Sequence, residues 1–84
     1  MYRVTTDEQV QHQIDALPEE ALAPFAELRT LLEISPWSAD PINDHNPDGA
    51  VRIVAFGAER RGIATYLILE DQRRVDLLQI AWLG

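Results

Sequence analysis

The chain has 84 residues, with fourteen Asp and Glu against seven basic residues, every one of them arginine, and a formal net charge of −7 at pH 7. At that length there is room for one hydrophobic core, so residues 1–84 are expected to form a single domain with a stability on the order of 4–12 kcal/mol. The absence of cysteine excludes a disulfide framework, a thiol nucleophile and a zinc knuckle, and the surplus of acid argues against broad attraction to nucleic acid or anionic lipid.

The N-terminus turns polar within five residues, unlike a leader peptide, and the longest nearly continuous apolar run, 63–69, is far short of a membrane span of roughly 20 residues. A reducing cytoplasm is the expected location, with no membrane partner. Tyr2, Arg3 and Val4 read as a short strand. Thr6 and Gln9 then have capping-box spacing, and Val10, Ile14 and Leu17 recur at i, i+4 and i+7, the stripe of an amphipathic helix. Leu17-Pro18 closes it, because the residue before proline avoids the helical region.

Pro18 suits the first turn of a second helix, with Glu19 and Glu20 at the positive end of its dipole. Pro24 either kinks or restarts that helix, after which Phe25, Leu28, Leu31 and Leu32 supply its apolar stripe. Residues 35–50 hold three prolines, a glycine and five Asn or Asp residues and read as a long loop. Three strand-like runs follow, 51–56, 63–69 and 75–82, joined by polar connections of hairpin length. The expected fold class is therefore α+β in the order β-α-α-β-β-β, a helical hairpin packed on one face of a mainly antiparallel, twisted four-stranded sheet.

Charge is distributed unevenly along this order. Residues 1–50 carry Arg3 and Arg29 against ten acids, net −8, whereas residues 51–84 carry five arginines against four acids, net +1. Arg52, Arg60, Arg61, Arg73 and Arg74, with Tyr66 and Trp82 as stacking platforms, have the composition of a single-strand RNA surface. The alternative is solvated turn arginines and packed aromatics.

Other constellations are weaker. Residues 44–49 open like a calcium loop, D-x-N-x-D-G, but its twelfth position is Ala55 where a bidentate Glu is required, so no metal is expected. His12 and His45 lack a third ligand at metal spacing. Trp37 reads as a lid over the core edge in preference to an exposed anchor.

The helical hairpin around Leu17-Pro18, the Pro36 that ends the second helix, the strand VRIVAFG and the run from Tyr66 to Ile80 resemble the RelE/ParE superfamily of toxins from type II toxin–antitoxin systems, over essentially the whole chain. VRIVAFG followed by RGIATYLILEDQRRVDLLQIAWLG is similar to an actinobacterial RelE-like branch. The resemblance implies a cytoplasmic toxin with a cognate antitoxin as partner. In its nucleolytic form it is a metal-independent, cofactor-free endoribonuclease acting on ribosome-bound mRNA. Catalytic positions then fall on Arg52 and Arg61, holding the scissile phosphate, and on Tyr66, orienting the attacking hydroxyl. Arg60, Arg73, Arg74 and Trp82 become RNA-binding positions.

The sequence departs from that pattern in two places. Ile63 stands where the family commonly has an arginine three positions before the tyrosine, and the chain given ends at Trp82-Leu83-Gly84 without the terminal basic pair and tyrosine. A second function class is therefore open, a non-catalytic protein-binding module on the same scaffold, as in ParE-like members. Homodimerisation through the apolar run 77–83 is compatible with either.

Overall fold

The computed structural model describes residues 1–38, 40–41 and 49–83. Strand β1 (Arg3–Thr6) leads into helices α1 (Glu8–Asp15) and α2 (Glu19–Ile34). A two-residue strand β2 (Asp40–Pro41) precedes the meander of β3 (Val51–Phe56), β4 (Gly62–Leu69) and β5 (Arg74–Trp82). The spatial order is β1-β5-β4-β3-β2, with β1 parallel to β5 and the other pairings antiparallel. The sequence-predicted order holds, and the sheet is mainly antiparallel.

The cap of α1 lies one residue later than the Thr6–Gln9 spacing implies. Thr6 belongs to β1, where it pairs with Leu77, and Asp7 accepts the Val10 N–H at 2.8 Å. The α2 helix runs unbroken through Pro24, with Pro18 at its N-cap in extended conformation. Pro24 sits soon after the helix start, so only the carbonyl one turn earlier forgoes a bond. Within the stretch read as a loop, residues 36–38 form a helical turn and β2 adds a narrow edge. The Asx-rich motif at 44–49 lies, but for Gly49, outside the described residues, as does His45.

Core side chains alternate along the strands as a half-buried sheet demands. Phe56 from β3, Ala64, Tyr66 and Ile68 from β4, and Val75, Leu77 and Ile80 from β5 meet Val10, Phe25, Leu28 and Leu32 from the helices. Leu77 and Ile80 share this face because the register shifts opposite Thr65 and Tyr66, leaving Leu78 as an extra, 47% exposed residue. The result is a β-bulge. Phe56 lies across Gly62, where a Cβ would sit 2.5 Å from its ring, so glycine is required for that closeness.

Candidate functional site

The structure does not gather the predicted residues at one point. Arg52 and Tyr66 do come together as direct cross-strand partners, but on the side that faces the helices. Tyr66 is fully buried, and its hydroxyl donates a 2.6 Å hydrogen bond to the Pro36 carbonyl. Burial pushes this phenol up to about 12 against the opposing attraction of Arg52. Of the two readings of Tyr66, stacking platform or packed aromatic, this placement is that of a packed aromatic. Alternation in β4 puts residue 66 in phase with Ala64 and Ile68, so the same rule that builds the core takes this hydroxyl out of solvent.

Arg52 is 6% exposed, and its Nε donates to the Gly49 carbonyl at 2.9 Å. The guanidinium stacks over Trp37, 4.9 Å from the ring centroid. The indole N–H of Trp37 in turn donates to Glu70 Oε1 at 2.7 Å, so Trp37 is fastened down across the end of the sheet.

Glu70 is the hub of this end. The Tyr2 hydroxyl donates to Oε1 at 2.5 Å, and Arg73 donates to Oε2 at 2.8 Å. Together these donors hold the carboxyl down at about 2, the Tyr2 bond contributing most, then Trp37, then Arg73. That same Glu70 bond, with desolvation, pushes the Tyr2 phenol up. The Arg73 guanidinium also lies 4.3 Å from the Tyr2 ring centroid. Tyr2 and Glu70 escaped the sequence reading because the cluster joins positions up to 71 residues apart; only Trp37, an aromatic in a proline-rich stretch, hinted at it.

The remaining arginines are scattered. Arg60 and Arg61 occupy the β3–β4 turn, beyond the Phe56–Gly62 pair that is itself four register positions from Arg52–Tyr66, roughly 13 Å at strand spacing. Arg61 pairs with Glu59 at 3.1 Å. Arg74 grips both carboxylate oxygens of Asp76 at 2.8 and 3.2 Å, and Thr5 donates to the same group; Arg74 leads the contacts that draw this carboxyl below its usual range. Trp82 packs its ring 6.1 Å from Phe56 and against Gly57, with its indole N–H buried, an element of the core margin in place of an open stacking platform.

By strand alternation, the sheet face opposite the helices carries Val51, Ile53, Ile63, Thr65, Leu67 and Leu69 across β3 and β4. Its cations are Arg3 and Arg74, neighbours in the β1–β5 register. It is an aliphatic face with one basic margin. Among the described residues no three His, Asp or Glu gather as a metal site needs, and no helix is long and apolar enough to cross a membrane.

No protein-family model and no curated protein matches the chain. Among solved structures, the chain is similar to the isolated Escherichia coli RelE toxin, with a TM-score of 0.73 and 14% identity over 100% of this chain and 86% of that one. The fold is that of RelE. The archaeal RelE–RelB complex from Pyrococcus horikoshii OT3 is also similar, with a TM-score of 0.67 and 18% identity over 99% of this chain and 96% of that one. The RelE-like fold agrees with the resemblance drawn from the sequence. At such identity, likeness speaks for the scaffold, and function must be argued from the side chains mounted on it.

Proposed function

We propose that this chain is the RelE-like toxin component of a type II toxin–antitoxin pair, with a cognate antitoxin as its protein partner, and that it acts by protein contact instead of RNA cleavage. The similarity to a RelE–RelB complex over nearly the full length of both chains supports the partner class. One observation carries the second half of the reading: the Tyr66 hydroxyl is sealed against Pro36. The cationic groups fit the same view, since Arg61, Arg73 and Arg74 each meet a carboxylate and the aliphatic sheet face offers no cationic cradle for a phosphate.

Co-expression with the product of the neighbouring reading frame tests the partner half. A stable complex of defined stoichiometry by light scattering is expected. Separate elution of the two proteins, with no partner retained, contradicts it.

A nuclease reading draws on one specific feature, the cross-strand contact of Arg52 with Tyr66. It requires the turn at 36–38 to lift so that the hydroxyl is released. In that case Arg52, Arg61 and Tyr66 act on phosphate and attacking hydroxyl, with Arg60, Arg73, Arg74 and Trp82 as outlying RNA contacts, and message cleavage disappears in Arg52→Ala and Arg61→Ala.

A further inference from the structure

Between the outer edge of β3 and helix α2 runs a groove of about 240 Å³ lined by Pro24, Glu27, Leu28, Leu31, Val54 and Phe56. Its floor strand is half-paired. Strand β2 covers β3 only at Arg52 and Ile53, so among the described residues 54–56 have a partner strand on the β4 side alone. A strand edge in that condition presents main-chain donors and acceptors at the spacing of another strand.

The helical wall is apolar and acidic together. Glu20, Pro24, Glu27, Leu31 and Ile34 follow one another at steps of four and three along α2 and so share one helix face. Leu31 and Ile34 on it are 41% and 65% exposed. Arg29, the one basic residue of α2, is paired with Glu33.

We propose that this groove takes an extended, basic segment of a partner protein, added as a strand along residues 54–56. Its aliphatic side chains rest on Leu28, Leu31 and Val54, and its Lys or Arg side chains turn toward Glu20 and Glu27. Charge selects this occupant. Residues 1–50 carry net −8, so an acidic segment or an RNA strand is repelled from this wall, and a second copy of a chain at −7 meets the same repulsion. The inference deepens the protein-binding reading, on which it rests, by giving the chemistry of the segment bound and the place where it lies.

The test uses the full chain, isotope-labelled, and two fluorescent seven-residue peptides with threonine at every second position; the positions between, which face α2, hold valine and lysine by turns in one and valine and glutamate by turns in the other. The lysine peptide is expected to shift the amides of residues 25–31 and 54–56. The double variant Glu20→Lys/Glu27→Lys is expected to weaken it by about tenfold and to gain affinity for the glutamate peptide. That gain separates a charge effect from damage to the fold, which loses both peptides. Absence of lysine-peptide binding, shifts confined to other residues, equal affinity for both peptides, or a dimer by light scattering that already pairs residues 54–56 overturns the proposal. A neighbouring-frame partner that binds the full chain but ignores Glu20→Lys/Glu27→Lys also overturns the groove, and leaves the protein-binding reading standing; failure of that partner to bind at all counts against the reading itself.

Discussion

Tyr66 is the residue on which the functional reading turns, and its role can be separated from catalysis by stability alone. The Tyr66→Phe substitution keeps the ring in the core but removes the donor to the Pro36 carbonyl; leaving that acceptor without its partner is expected to cost about 1–2 kcal/mol in urea unfolding. An unchanged stability argues against the strut role. The alkaline limb carries the same information. In the fold this phenol titrates at about 12 instead of 10.0, so the folded state holds the proton more tightly than the unfolded chain does. Its contribution is present below pH 10 and is lost as pH rises toward 12. Phenolate absorbance of the native protein should therefore lag that of free tyrosine. Glu70 has the opposite sign: its carboxyl is held at about 2 against 4.5 for the free group, so its contribution is present above pH 4.5 and is lost as pH falls toward 2. Thermal melts of wild type and Glu70→Gln should differ at pH 6 and by much less at pH 2. A gap of equal size at both values contradicts the assignment.

Among the elements, the β3–β4 turn holds two of the three non-glycine residues with positive φ among the described residues, the third being Arg73 in the β4–β5 connection. Glu59 and Arg60 both have φ of 57°, and the Arg61 N–H bonds the Ala58 carbonyl across them, which is the geometry of a type I′ turn that favours Asn-Gly. Two ordinary side chains held in the left-handed region are unfavourable. The variant Glu59→Asn/Arg60→Gly should therefore raise stability by about 1 kcal/mol in urea unfolding, while losing only an exposed ion pair of small worth. A loss of stability shows that Glu59 and Arg60 hold the turn by contacts beyond backbone preference. The order of elements was legible because Val10, Phe25, Leu28 and Leu32 repeat at helical spacing and the three later strands are bounded by polar turns. The facing of individual residues was less so. In β5 the run Leu77-Leu78-Gln79-Ile80 does not alternate, and only the bulge explains why Leu77 and Ile80 are core while Leu78 is exposed. The site was legible least of all. Five arginines in 34 residues read as a patch, but turns and strand ends separate them, and their partners, Glu59, Glu70 and Asp76, are set by tertiary placement as much as by sequence.

For the molecule as a whole, the two layers have different electrostatic characters and different uses. The helical layer is strongly acidic and borders a half-paired strand edge. The sheet segment holds most of the positive charge, yet neutralises it locally and presents an aliphatic face. A net charge of −7 opposes approach to ribosomal RNA over the Debye length of about 8 Å at physiological salt, and it favours a basic protein segment for the same reason. The chain has a RelE-like fold, and the proposed partner-binding role rests on the burial of the Tyr66 hydroxyl against Pro36. The most direct test adds the purified protein, free of any partner, to a reconstituted translation system and maps the 5′ ends of the message by primer extension. The account predicts full-length message at every protein concentration; cleavage at the ribosomal A site that is lost in Arg52→Ala and Tyr66→Phe would contradict it.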